Sequence, residues 1–275
     1  MEEIQNLPTL PTVIQKIHEI LRDPTANAAD VGDVIRQDAS LTSKTLKLVN
    51  SAFYGFPKKI NSITRAIVIL GFNKIKNIAL SASIFETFRG VTARGFDAKR
   101  FWEHSLAVAI ATEVVAKDSG LEEQEDAFVA GLLHDIGKII IAAHLKNEFL
   151  AILKSVEEEG LLMVEAEEKV LGANHALIGK WLGEKWKFPD GLVAPTARHH
   201  QPRLAREFRD LTCAVNLGDI LARALGIGNG GDRGIPAIDG VVWDRFDLST
   251  ARIEKLCDAV LDGTDRAGAF LELIR

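Results

Sequence analysis

Between Phe128 and Ala143 the chain is apolar except for His134, Asp135 and Lys138. No other stretch restricts the fold so tightly. The run falls short of the roughly 20 apolar residues that a membrane-spanning helix needs, and it carries charges in its middle. It therefore predicts a buried helical segment in a globular core. A buried imidazole and carboxylate cost free energy unless other groups satisfy them. The fold must bring partners to His134 and Asp135 from elsewhere in the chain. Lys138 lies three residues past Asp135, near the same helical face. There it can neutralise the carboxylate or pair with a phosphate oxygen.

The rest of the chain reads as helix. Faces spaced by three and four residues recur in Val13, Ile17, Ile20 and Leu21, in Leu41, Thr45, Leu48 and Val49, and in Ile63, Ile67 and Leu70. No set of alternating segments joined by hairpin turns is present. The expectation is an all-α protein, a multi-helix bundle. Leu7–Pro11 opens the first helix, with Thr9 or Thr12 as its cap, and a last helix starts near Ser249 and includes Ile253, Leu256, Cys257 and Val260. Gly226 to Gly234 holds five glycines and predicts a mobile loop. Phe88 to Phe96, with Gly90 and Gly95, is the natural internal boundary. It divides the chain into an N-terminal helical half, 1–92, and a C-terminal half, 93–275.

Composition excludes several classes. The formal charge of −5 gives no global attraction to nucleic acid. Cys213 and Cys257 form no CxxC pair, which fits a reduced compartment and a packing role. The start, Met-Glu-Glu-Ile, has no apolar run behind it and predicts no signal peptide. These features together predict a cytoplasmic protein that avoids membranes. Motif searches find no GxSxG elbow, Walker loop or HExxH. Lys44, Lys47, Lys58, Lys59, Lys74 and Lys76 make the N-terminal half locally basic and read as a solvated face, while Trp102, Trp181, Trp186 and Trp243 read as core.

The candidate chemistry is one constellation in the second half: His104, His134, Asp135, His175, His199, His200 and Asp219. Taken singly, each has an ordinary explanation. His104 suits an unremarkable helix position, Asp219 a buried carboxylate bonded to an amide, and His175 a helix start. His18 and His144 are assigned such ordinary roles. Together, imidazole nitrogens and carboxylate oxygens form a ligand set for a borderline or hard divalent cation. A shared carboxylate with several histidines suits two ions, an arrangement that lowers the pKa of water and clamps phosphate.

The order His104, His134-Asp135, Asp219 resembles the HD phosphohydrolase superfamily. His175 and His199-His200 resemble its HD-GYP branch, which binds two or three metals and acts on cyclic dinucleotides, mainly cyclic di-GMP. The N-terminal half resembles the HDOD family more closely. The matching segments are Leu7-Pro-Thr-Leu-Pro11, Ile35-Arg-Gln-Asp38, Leu46-Lys-Leu-Val-Asn-Ser-Ala-Phe-Tyr54 and Ile63-Thr-Arg-Ala-Ile-Val-Ile-Leu-Gly71. Asn174-His-Ala-Leu-Ile-Gly-Lys-Trp-Leu182, Trp186, Pro189 and Ala197-Arg-His-His-Gln-Pro202 continue the match, which spans roughly 7 to 225. The resemblance implies an HD-type helical bundle with an N-terminal helical subdomain, acting as a signalling or regulatory module.

Two departures matter. The chain keeps a full ligand set, which many HDOD members have lost. It lacks the Gly-Tyr-Pro segment of HD-GYP enzymes, since Gln201, Pro202, Arg203 and Leu204 follow His200, and Arg100 stands where those enzymes place a glutamate. The expected site is therefore one or two divalent transition ions (iron, manganese, zinc or nickel) on His104, His134, Asp135, His175, His199, His200 and Asp219. The expected function is regulatory, with an unidentified signalling protein as partner and little cyclic-dinucleotide hydrolysis. The alternative is a metal-dependent phosphohydrolase or phosphodiesterase acting on a nucleotide or phosphate ligand, with Asp135 and Lys138 catalytic.

Overall fold

The protein is described by a computed structural model covering residues 12, 15, 16, 28–91 and 93–274. The Leu7–Pro11 opening with Thr9, the face of Val13, Ile17, Ile20 and Leu21, and His18 lie outside the described residues. Every regular element within them is helical, apart from one isolated antiparallel bridge between Ala93 and Phe96. The all-α expectation holds.

Two compact units emerge. One contains Gly90–Leu261; the other contains the described residues that precede Gly90 together with Asp262–Ile274. The second unit is built on α1 (Ala28–Gln37), α2 (Ala39–Val49), α3 (Ile63–Leu70) and α4 (Phe72–Thr87), with α15 (Gly268–Ile274). Asp38 begins α2 by accepting from the Leu41 amide at 2.9 Å, and Ser62 begins α3 in the same way through Arg65. Leu41, Thr45, Leu48 and Val49 are all buried, as their spacing requires. Asn50 closes the turn after α2: its side chain donates to the carbonyls of Leu46 and Ile60 and accepts from the Ile60 amide. The division at 92/93 leaves residues 262–274 in the C-terminal half, whereas the structure groups them with the N-terminal helices. Phe270 is the reason: it is fully buried and meets Phe53 edge-on at 5.6 Å.

The larger unit contains α5 (Ala98–Asp118), α6 (Gln124–Leu133), α7 (Ile136–His144), α8 (Lys146–Glu159), α9 (Met163–Leu171), α10 (His175–Lys185), α11 (Asp190–Arg198), α12 (Arg209–Ala224), α13 (Gly240–Arg245) and most of α14 (Thr250–Arg266). The long helix α5 is its centre, with α6 and α12 packed along it and α10 resting on α7 and α11. Gln124–His144 is long and apolar enough to cross a membrane, but 89% of its apolar window is buried inside the protein. Trp102 and Trp186 are core, Trp181 is half-buried, and Trp243 is exposed at 43%, contrary to the reading of all four as core. Trp243 sits on the short helix α13, whose buried apolar anchor is Val242 instead. The N-terminal lysines are partly paired: Lys44 bonds Glu86, Lys47 lies 2.8 Å from Glu272, and Lys74 stands over the Tyr54 ring.

Candidate metal centre

Close helix approach creates the site. A Cβ on Gly131 of α6 would lie 2.7 Å from the Ala109 Cα of α5, and one on Gly218 of α12 would lie 2.8 Å from Thr112 Oγ1. Both glycines let α6 and α12 press against α5. This brings together His104 from α5, His134 at the end of α6 and Asp219 from α12. Helix α6 stops at Leu133; Asp135, with φ −101° and ψ 10°, breaks the path before α7 starts. The break turns the Asp135 carboxylate inward. Asn174 caps α10 through the Leu177 amide and makes His175 its first residue, while His199 and His200 follow α11.

All seven predicted residues converge. His104, His134 and Asp219 form one group of potential ligand atoms, and Asp135, His175, His199 and His200 form a second, each group within 4.8 Å. Asp135 faces both. Its Oδ2 lies 3.2 Å from His134 Nε2 and 3.7 Å from His104 Nε2; its Oδ1 lies 3.0 Å from His175 Nε2 and 3.6 Å from His199 Nε2. All are buried except His200, which is half-buried. His144 is exposed at the end of α7 and takes no part.

The surroundings set the tautomers. His134 Nδ1 lies 2.7 Å from the Gly131 carbonyl, and His199 Nδ1 lies 3.0 Å from the Thr196 carbonyl. Carbonyls only accept, so each Nδ1 carries the hydrogen and each Nε2 presents a lone pair to the centre. His175 Nδ1 meets the fully buried Glu167 at 2.5 Å, and the same Glu167 oxygen accepts from the His175 amide at 2.8 Å. His175 Nε2 is 2.8 Å from His200 Nε2 and 3.4 Å from His199 Nε2. Nε2 of His104, Nε2 of His134 and Oδ1 of Asp135 are buried with no hydrogen bond. Native proteins rarely leave such atoms unpaired. Converging nitrogen lone pairs and an orphaned carboxylate oxygen fit a divalent cation, and these residues could hold one.

Burial favours the neutral, ligating form of His104, His199 and His200, whereas neighbouring carboxylates favour the proton on His175. Burial pulls His199 down to about 4, with Asp135 only partly offsetting it. His104 and His200 are also lowered, chiefly by burial. Burial likewise lowers His175, but the Glu167 and Asp135 carboxylates outweigh it and raise the group. Burial would raise both aspartates, yet His134, Lys138 and His175 hold Asp135 well below the carboxylate range, and Arg223 and His104 do the same for Asp219. Lys138 Nζ donates to Asp135 Oδ2 at 2.6 Å and to the Gly230 carbonyl at 2.7 Å. Arg223 binds Asp219 at 2.8 Å and Asp232 at 2.7 Å.

Glu167, Arg223 and Asp232 were not identified from sequence. Signals existed for the first two. Glu167 is an acid beside Met163 and Ala166 on the buried face of α9, and Arg223 stands four residues after Asp219 on one helix face. A cavity of about 370 Å³ adjoins His104 and includes Arg100, Arg223 and Asp232. Another of about 390 Å³ adjoins His200 and includes Arg198, Lys180 and Glu168. The glycine segment from Gly226 to Gly234, expected to be mobile, is folded down over the first cavity and tied to α5, α7 and α12.

The HDOD domain family model matches residues 7–202. An uncharacterized protein of Treponema pallidum (strain Nichols) is 25% identical over 227 residues, which cover 82% of this chain and 44% of that protein. The uncharacterized protein YuxH of Bacillus subtilis (strain 168) is 28% identical over 168 residues, covering 57% and 40%. The chain thus spans less than half the length of these curated relatives. Among solved structures, an HDOD domain protein of unknown function from Geobacter sulfurreducens superposes with a TM-score of 0.80 at 26% identity, covering 98% of this chain and 93% of that one. A Shewanella amazonensis SB2B protein proposed to be a phosphohydrolase gives 0.79 at 22% identity, covering 100% and 97%. A Marinobacter aquaeolei VT8 protein proposed to act in signal transduction gives 0.80 at 22%, covering 98% and 60%. The last two likenesses concern the fold.

Proposed function

This chain belongs to the HDOD family, and from that premise we propose that it is a cytoplasmic regulatory module whose His/Asp cluster holds divalent transition metal. One or two ions of iron, manganese, zinc or nickel suit the donor set. Asp135 would bridge, with His104, His134 and Asp219 on one side and His175, His199 and His200 on the other. The observation that carries the metal reading is the set of buried, unbonded atoms His104 Nε2, His134 Nε2 and Asp135 Oδ1. Asp135 also keeps Lys138 in place, and Glu167 orients His175. A divalent ion held here would supply a Lewis acid able to polarise a phosphoryl oxygen.

The regulatory reading rests on what surrounds the ligands. Lys138 and Arg100 donate to protein carbonyls, and Arg223 is held by Asp219 and Asp232. Gln201, Pro202, Arg203 and Leu204 follow His200 in place of the Gly-Tyr-Pro segment. An in-line reaction needs a held phosphate as well as a metal. A protein partner, unidentified, would receive the signal.

The second reading, a metal-dependent phosphohydrolase acting on a nucleotide or cyclic dinucleotide with Asp135 and Lys138 catalytic, is favoured by the complete ligand set. One experiment separates the two. Metal content is measured on protein purified without added metal, and loaded protein is then offered cyclic di-GMP, other cyclic nucleotides and an activated aryl phosphodiester. We expect bound metal that is lost in Asp135→Ala, and turnover below about 1 per second, near the lower end for enzymes. Less than about a tenth of an equivalent of metal would end the metal reading. Faster turnover that vanishes in folded His134→Ala and Asp135→Ala variants would make the enzyme reading primary.

A further inference from the structure

We propose that residues 228–231 form a plug, which closes the His/Asp centre by offering backbone carbonyls to the cations that a phosphate-bearing ligand would need. The inference rests on the metal-centre reading and names a regulation of that site. The Gly230 carbonyl accepts from Lys138, a side chain with 2% exposure whose other bond is to Asp135. The Gly228 carbonyl accepts from Arg100 Nη2 at 3.1 Å, and the Asn229 amide donates to the Arg100 carbonyl at 2.9 Å. Two separate cations beside the ligand cluster are thus occupied by one short stretch of main chain.

The seat of the plug is shaped for bare backbone. Gly228 has φ +68°, and a Cβ there would lie 2.2 Å from the His104 amide nitrogen and 2.5 Å from the Arg100 carbonyl. A Cβ on Gly230 would reach within 3.1 Å of His104 Nε2, one of the unbonded ligand atoms. The main chain therefore stands against the mouth of the first ligand group. Two anchors bracket it. Ile227 packs on the buried cluster of Ala107, Val108 and Ala222. Asp232 accepts from Arg223 at 2.7 Å, from the Met163 amide at 2.9 Å and from the Gly234 amide at 2.8 Å. Between the anchors, only Asn229 carries a side chain, so opening exposes little apolar surface.

A neutral carbonyl is a weaker partner for a cation than an anion is, because only the anion adds a charge–charge attraction to the hydrogen bond. Phosphate oxygens can therefore exchange for the two carbonyls, moving 228–231 while Ile227 and Asp232 stay fixed. The closed plug lowers apparent anion affinity by the fraction of molecules that are open.

Inorganic phosphate is the probe, titrated calorimetrically into the manganese-loaded full chain and into two variants. Gly228→Ala cannot seat the loop. Asn229→Pro removes the amide that holds it to Arg100 and touches no ligand. If the closed form dominates by about ten to one, each variant binds phosphate about tenfold more tightly than the parent at equal metal content. Hydrogen exchange in 228–231 is slow in the parent and is accelerated by phosphate. Affinities equal within about twofold across the three proteins, or parent exchange as fast as an open chain, overturn the plug. Absence of metal from all three refutes the metal reading alone. The same titration and exchange on metal-free protein then decide the plug, because Lys138 and Arg100 are not ligands.

Discussion

Asp135 gives the centre its character because its two oxygens face different histidine groups, and Glu167 gives it rigidity. Glu167 fixes His175 by two bonds from one oxygen, to the backbone amide and to Nδ1. A carboxylate behind a ligating histidine orients the ring and raises its basicity. In Glu167→Gln the amide oxygen can still accept from Nδ1, but the charge is gone. Affinity at the position shared by His175, His199 and His200 should fall about 10- to 100-fold, while the His104 side is less affected. Competition against a chelating dye, resolved for two sites, checks this; unchanged affinity at both sites would remove Glu167 from the machinery. The seven ligand candidates could be read from residue type and order. The spacing on α9 marks Glu167 as facing inward, but its partner could not be read, because that depends on the start of α10 arriving beside α9.

At the scale of helices, the break between α6 and α7 and the crossing of α7 over α10 do the positioning. A Cβ on Gly137 would lie 2.0 Å from the His175 carbonyl oxygen and 2.9 Å from the Gly179 amide nitrogen. The two helices therefore touch backbone to backbone at the start of α10. Gly137→Ala should push α10 away, costing about 1–3 kcal/mol as an overpacked core does, and should weaken metal binding through His175. Gly240→Ala is the control, since nothing lies within 4 Å of its added Cβ. Thermal unfolding of both variants tests the point, and an unshifted Gly137→Ala would show that α7 and α10 can separate freely. The apolar run from Phe128 to Ala143 announced α7. It did not announce the nearness of α7 to α10, which depends on a missing side chain facing another helix.

Across the whole molecule, the ionisable cluster sits within the unit formed by Gly90–Leu261, so its protonation is felt as folding stability. His199 titrates at about 4 when folded and near 6.5 when unfolded. As pH falls between these values the unfolded chain takes up the proton first, so the metal-free protein loses stability. His199 alone can contribute about 3 kcal/mol to that loss. His104 and His200 are shifted in the same direction, whereas His175, raised, opposes the trend by favouring its proton in the folded state. Bound metal takes neutral imidazole and should carry stability to lower pH. Denaturant unfolding of metal-free and loaded protein, from about pH 7 to about pH 4, should show the two curves diverging as acid increases. A metal-free protein equally stable throughout would contradict burial of neutral histidines.

The sequence by itself determined the helical class, because three- and four-residue spacing of apolar side chains is a local property. It also determined the candidate ligands, because a His–Asp pair inside an apolar run needs partners and few residue types can serve. Only the tertiary structure decided how Asp135 is shared between two groups, that Glu167 and Arg223 complete them, and that residues 262–274 return to the N-terminal helices. It also turned the five-glycine segment from an expected mobile loop into one seated against His104 and Lys138. Glycine spacing records only conformational freedom. What a glycine-rich segment does with that freedom depends on which carbonyls find donors, and those donors come from residues as much as 128 positions away.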